Sequence, residues 1–421
     1  MSLLYRSLLV FALLVGGAQA QPRPAPVLSA WVQLNDGGVA EARAVVDGGA
    51  CPSATVDGAA RRMTPRVRPG LAFPQTVCVA VIPKGARKID IGGRVLTAPA
   101  AKIDRIVILG DTGCRLKGFD AQACNDPRAW PFAMVARLAA AEKPDLVIHV
   151  GDYYYRESPC PLFSAGCAGS PYGDIWASWS AEFFEPARPL LEAAPWVFAR
   201  GNHESCDRGW RGWFRLLEAG PPADSGCPSE SKPFAVPIGG VTLHVLDSAD
   251  AEDRDAPKAL VAVVARQLDT LAHDPADSDW IITHRPFWGQ TPVSVWPFGA
   301  VQAQLNKTEQ VAARGKDLSG VAMIISGHIH HFSSFDFGRL RPAQLVVGTS
   351  GDVGAAADPA TLTAGPVKID GLTAETLTFK RYGYLVLERA AGGWTGVFKD
   401  LDGKPVARCT VNGRSLRCGP A

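Results

Sequence analysis

Five short polar blocks, each directly after an apolar run rich in β-branched residues, hold the side chains that could do chemistry. They are Gly110-Asp111-Thr112-Gly113, Gly151-Asp152-Tyr153-Tyr154-Tyr155, Gly201-Asn202-His203-Glu204, Ile281-Ile282-Thr283-His284 and Gly327-His328-Ile329-His330-His331. Polar groups at the carboxyl ends of neighbouring strands in an open α/β sheet converge on one crevice. Two Asp, one Asn, the His side chains and the Tyr oxygens then form a set of hard oxygen and imidazole nitrogen donors suited to Fe, Zn or Mn. A single block carries little weight, because Gly-Asp after a strand is commonly a turn and Asn before His a helix cap. Five in order, each at a strand end, read as a site. His149 and His244 lie within the predicted strands and His273 in a charged loop, so these three are read as structural.

The elements that must position the blocks follow from periodicity. Strands are expected over Arg105–Leu109, Asp145–Val150, Trp196–Ala199, Val241–Leu246, Trp280–Thr283 and Val321–Ser326. Pro131 to Glu142 reads as a helix, with Pro in the first turn and Phe132, Val135 and Leu138 at helical spacing. Apolar strands separated by helices predict an α/β domain with strands buried on both faces. The aromatic runs Tyr382–Leu387 and Trp394–Lys399 predict an antiparallel finish. Residues from about 27 to 100 alternate short apolar runs with Gly, Pro and Asp turns, which predicts a small β domain. It holds no His and no clustered carboxylates, so no chemistry is assigned to it, and Thr97–Ala101 reads as the linker.

The remaining composition narrows the function classes. The chain has 421 residues, with 43 Lys and Arg against 41 Asp and Glu, a net charge of +2. That balance excludes a protein whose main task is to neutralise nucleic-acid phosphates. Residues 1–20 have the layout of a cleaved export signal: Arg6, the apolar stretch Leu8–Val15, then Ala18-Gln19-Ala20 before Gln21. The apolar run falls short of the roughly 20 residues that span a bilayer. All 10 cysteines follow this segment. Short loop closure predicts the disulfides Cys51–Cys78, Cys114–Cys124, Cys160–Cys167, Cys206–Cys227 and Cys409–Cys418, and with the leader they predict a secreted or periplasmic protein.

The five blocks resemble the calcineurin-like metallophosphoesterase superfamily, and in detail its purple acid phosphatase branch, whose pattern is GDxG, GDxxY, GNH followed by Glu or Asp, VxxH and GHxH. One position departs, Ile281 standing for Val. The resemblance implies a four-layer α/β/β/α sandwich over residues 102–421, preceded by the small all-β domain and linker of residues 21–101. Most of the superfamily has DxH in the first block, and here Gly113 occupies the place of that ligand. Tyr155 is the candidate substitute, with Tyr153 and Tyr154 as alternatives if the loop bends differently. The resemblance then implies Fe(III) on Asp111, Tyr155 and His330, with Asp152 bridging to a divalent Fe, Zn or Mn on Asn202, His284 and His328.

What this ligand set implies is hydrolysis of a small phosphate monoester by a metal-bound hydroxide. His203 is the expected general acid and Glu204 its expected neighbour. His331, Arg115, Lys117 and Arg285 stand beside the blocks as possible phosphate contacts. Two rival readings remain: a phosphodiesterase with the same metal centre, its specificity in loops such as Ser158–Asp174 and Trp288–Gln304, and a non-catalytic exported binding protein. No GxxxxGK[ST], GxSxG or HExxH pattern occurs, so nucleotide triphosphatase, serine hydrolase and zinc protease readings lack support. Neither a nucleic-acid partner nor a membrane span is expected, and oligomeric state is left open.

Overall fold

The computed structural model describes residues 25–223, 225–271, 278–295 and 299–421, so the leader segment and His273 fall outside it. The six expected strands are all present, five of them leading into the blocks: Arg105–Leu109, Leu146–His149, Trp196–Phe198, Thr242–Val245, Asp279–Ile282 and Val321–Ser326. They divide between two sheets. The first three pair in parallel. The other three pair in parallel with one another and with Ala343–Val347.

Alternation along the strands generates the layers. Ile106, Ile108, Leu146, Ile148 and Val197 point between the sheets, where they meet Leu243, Val245, Trp280, Ile282, Met323 and Ile325. Their neighbours Val107, Leu109, Val147, Trp196 and Phe198 face outward, under the helices Phe132–Ala141 and Glu185–Ala193. On the second sheet Ile281, Ile324 and Val346 face outward under Lys258–Leu268 and Lys307–Ala313. The architecture is the four-layer α/β/β/α sandwich. Burying each of these large apolar side chains contributes about 1.5–3 kcal/mol, so both strand faces are committed and the register is fixed.

The N-terminal segment is all β, and half of it continues the first sheet. Val27–Leu34 pairs in parallel with Trp196–Phe198 through Gln33 and Trp196. Ala40–Val46, Thr76–Val81 and Thr64–Val67 then extend that edge. Ser53–Val56, Ala59–Arg62, Lys88–Ile91 and Arg94–Thr97 form a separate sheet, and Ile89, Ile91 and Ala54 pack with Val32 and Ala44 in their own core. Antiparallel strands from Tyr384–Ala390 to Ser415–Pro420 close the opposite edge. All five disulfides form in the expected order. Among the described residues no helix is long and apolar enough to cross a membrane.

Candidate metal centre

At the carboxyl ends of both sheets the backbone turns sharply. Asp111, Asp152 and His328 have φ of 54°, 60° and 67°. Left-handed conformations are costly for residues with a Cβ and cluster at functional sites. The turns also pack too tightly for a side chain on the preceding glycine: a Cβ on Gly327 would lie 2.3 Å from Asp111 Oδ2. The blocks lock together through Asp111 N–H to Gly151 O and Thr112 N–H to Asp152 O, both 3.0 Å.

These turns bring the expected ligands into two groups that share one carboxylate. Ligand atoms of Asp111, Asp152 and His330 lie within 4.8 Å of one another, as do those of Asp152, His284 and His328. Tyr155 belongs with the first group. Its hydroxyl donates to Asp152 Oδ2 at 2.8 Å and lies 3.3 Å from Asp111 Oδ1 and 3.0 Å from His330 Nε2. The other two phenols turn elsewhere: Tyr153 donates to the carbonyl of Ala199 and Tyr154 to that of Arg156, each at 2.9 Å. Gly113 explains why the Tyr155 ring fits, since a Cβ there would lie 2.4 Å from Tyr155 Cδ2. A side chain at position 113 and this ring exclude each other.

Asn202 joins the second group, its Oδ1 lying 3.0 Å from His284 Nε2 and 2.8 Å from His328 Nδ1. Both imidazoles spend their other nitrogen on an acceptor. His284 Nδ1 is 2.8 Å from Val150 O, and His328 Nε2 is 2.9 Å from Asp253 Oδ1. Neutral imidazoles so arranged direct two lone pairs at an amide oxygen, a repulsive geometry that a cation between them converts into coordination. Extra protons are the other remedy. Burial lowers the His284 pKa, but Asp152 overrides it and pushes it up to about 9. Burial raises that of Asp152, yet His284 and His203 hold it well below the ordinary 3.8. Burial, then the charges of Asp152 and Asp111, push the Tyr155 phenol well above 10. The oxygens and imidazoles therefore fit two cations, with Asp152 between them.

Surrounding groups hold the ligands in place. Glu204 is fully buried and accepts the backbone N–H of Gly201, Asp152, Tyr153 and Tyr154. Burial pushes its pKa up to about 8, against the carboxylate that these donors favour. Glu182 accepts from the N–H of Cys114 and Tyr155. His203 stacks on the Tyr155 ring at 3.8 Å between centroids. Its Nδ1 sits 2.7 Å from Glu157 Oε1 and its Nε2 3.9 Å from Asp152 Oδ2. Glu157, not Glu204, is thus the carboxylate on His203.

The other sequence candidates separate. Arg115 pairs with Asp352 and Arg285 with Asp253, while Lys117 stands 3.8 Å from Glu157. His331 is buried with no hydrogen-bond partner on either nitrogen, and burial lowers its pKa to about 3. His149 bonds Thr112 Oγ1 and His244 bonds Asp279, so both are structural. Sequence reasoning missed Glu157, Asp253 and Asp352. Gly351-Asp352 lies beyond the strand Ala343–Val347, after Gly348-Thr349-Ser350, a looser form of the earlier Gly-Asp blocks that could have exposed it. Glu157 lies two residues beyond Tyr155, but nothing in the sequence marks Asp253.

A model of calcineurin-like phosphoesterases matches residues 104–332. No curated protein sequence matches significantly. Among solved structures, a purple acid phosphatase from yellow lupin (Lupinus luteus) seeds is similar over 94% of this chain and 74% of its own, at 12% identity and TM-score 0.56. The structure of PhoD is similar over 96% of this chain and 94% of its own, at 11% identity and TM-score 0.54. At such identities these two likenesses bear on the fold, whereas the family model spans more than half of the residues and covers all five blocks. The chain belongs to the calcineurin-like phosphoesterase family.

Proposed function

We propose that this protein is an exported phosphate monoesterase of the purple acid phosphatase type. The observation that carries the reading is the Tyr155 phenol set among Asp111, Asp152 and His330 in the space left by Gly113. Asp111, Tyr155 and His330 would hold a ferric ion, Asn202, His284 and His328 a divalent Fe, Zn or Mn, and Asp152 both. A phenolate is a hard anionic donor that favours Fe(III). When bound, the two cations neutralise the phosphoryl oxygens and acidify water.

The chain's own groups do the rest. Glu157, its Oε1 2.7 Å from His203 Nδ1, stabilises the imidazolium electrostatically, and the imidazolium gives its Nε2 proton to the departing oxygen. Burial lowers the His203 pKa below 6.5, with Asp152 and Glu157 opposing. The acid form is therefore favoured on the acidic side of neutrality. The Tyr155 ring, stacked on the imidazole, fixes the side from which that proton arrives.

Export is supported by the leader-like first 20 residues and by five disulfides, three of which start just after a ligand block, at Cys114, Cys160 and Cys206. Within the division at residue 101, the described residues 25–101 extend the sheet of residues 102–421 that leads to Asn202. Turnover of a monoester and a diester chromogenic substrate by the purified, iron-loaded protein tests the reading. A monoester preference that His203→Ala abolishes is expected; preferential cleavage of the diester would replace it with the phosphodiesterase reading, and no turnover of either with the binding protein.

A further inference from the structure

Each imidazole of the Gly327-His328-Ile329-His330 block rests its outer nitrogen on a carboxylate, and each carboxylate is paired with an arginine. His328 Nε2 lies 2.9 and 3.1 Å from the two oxygens of Asp253, which also accepts from Arg285 Nη1 at 2.5 Å. His330 Nδ1 lies 2.6 Å from Asp352 Oδ1, and Asp352 Oδ2 accepts from Arg115 Nε at 2.9 Å. The two arrangements use opposite ring nitrogens. Arg285 Nη1 is also 3.0 Å from His328 Nε2; with a cation held on the Nδ1 side, the proton sits on Nε2, and the imidazole and the guanidinium both donate to the shared carboxylate.

Opposite tautomers follow. With its proton on Nε2, His328 turns the Nδ1 lone pair to Asn202 Oδ1, 2.8 Å away. With its proton on Nδ1, His330 turns the Nε2 lone pair to the Tyr155 oxygen at 3.0 Å and to Asp111 Oδ1 at 3.2 Å. The two carboxylates hang on unrelated loops. Asp253 is anchored by its carbonyl to Lys307 N–H at the start of a helix. Asp352 bonds Asp111 O through its own N–H, and its side chain accepts from Gly354 N–H. Arg115 reaches further into the first group, its guanidinium carbon 5.3 Å from the Tyr155 ring centroid.

We propose that Asp253 and Asp352 are positioning residues that tune the two metal sites separately: Asp253 through His328 for the divalent ion, Asp352 through His330 for the ferric ion. The proposal rests on the dimetal reading above. Carboxylates that orient a metal-bound imidazole typically change metal affinity about 10–100-fold when removed.

The test compares Asp253→Asn and Asp352→Asn with the wild-type chain by zinc affinity in chelator competition, iron retention against chelator, and the visible tyrosinate-to-iron band. Asp253→Asn should lose about 10–100-fold in zinc affinity and keep the band and its iron. Asp352→Asn should shift or bleach the band and release iron more readily, with zinc affinity close to wild type. The spared site in each variant reports that the chain is folded. A variant whose circular dichroism is not native is replaced by Arg285→Gln or Arg115→Gln, which should weaken the same site by a smaller factor. Unchanged binding in folded variants, or equal loss of both ions from each, would overturn the proposal. A wild-type protein that takes up no pair of ions, or shows no band, refutes the dimetal reading instead.

Discussion

Gly113→Ala isolates the link between the first block and the Tyr155 phenol. The glycine has no positive φ, so alanine meets no backbone penalty and its effect is steric. The added methyl would stand 2.4 Å from Tyr155 Cδ2, 2.7 Å from Glu182 Oε1 and 3.1 Å from Tyr153 O. Glu182 is held by the N–H groups of Cys114 and Tyr155, and Tyr153 O is backbone, so the ring is what must yield. Restoring ordinary contact with the ring takes a shift of about 1 Å. Overpacking of this kind costs about 1–3 kcal/mol of stability. A displacement of about 1 Å at a reacting centre costs roughly 100-fold in rate. The shift also presses on His203, stacked on the same ring. The assay is paired: thermal unfolding of the metal-free chain, then the visible band, iron content and kcat of the loaded one. A lower melting temperature with a displaced or weakened band and a large fall in kcat is expected. A variant with wild-type band and kcat would show that Tyr155 does not depend on the space at position 113.

Three further outcomes follow from the same geometry. His203→Ala should keep both metals and the visible band while kcat falls about 100- to 10,000-fold, checked by elemental analysis beside steady-state kinetics. Asp152→Ala should cost both ions, because that carboxylate belongs to both ligand groups, whereas Asn202→Ala should cost only the divalent one; equilibrium dialysis separates the two. Glu309 is buried without a hydrogen-bond partner on either oxygen, and burial pushes its pKa up to about 8 from 4.5. The folded state then keeps a proton that the unfolded state releases, so wild-type stability falls as pH rises from about 4.5 to 8. Glu309→Gln should remove its share of that slope, at most about 1.4 kcal/mol per pH unit for one group, and urea unfolding of both chains at pH 5 and pH 8 would reveal the difference.

The sequence was most legible where one residue type at one place has one physical use. Runs such as Arg105–Leu109 and Val321–Ser326 appear with the expected bounds because fully buried parallel strands have few alternatives. The ligand blocks were legible because Gly, Asp, Asn and His recur at strand ends. Pairing between distant strands was not: nothing in Gln33 announces its register with Trp196, so the N-terminal region read as a separate unit although half of it extends the first sheet. Asp253 and Glu157 were invisible for a similar reason, since a lone carboxylate in a loop becomes a partner only when the fold brings His328 or His203 beside it. His331 read as a candidate phosphate contact by adjacency to His330, but it is buried without a hydrogen-bond partner.

The central claim is that Tyr155 completes one half of a two-metal centre. Metal content and the visible spectrum of the purified protein, recorded beside Tyr155→Phe, test it most directly. Two metal ions per chain, at least one of them iron, with a tyrosinate-to-iron band that Tyr155→Phe abolishes, is the expected result. A colourless protein, or a band that survives Tyr155→Phe, would contradict it.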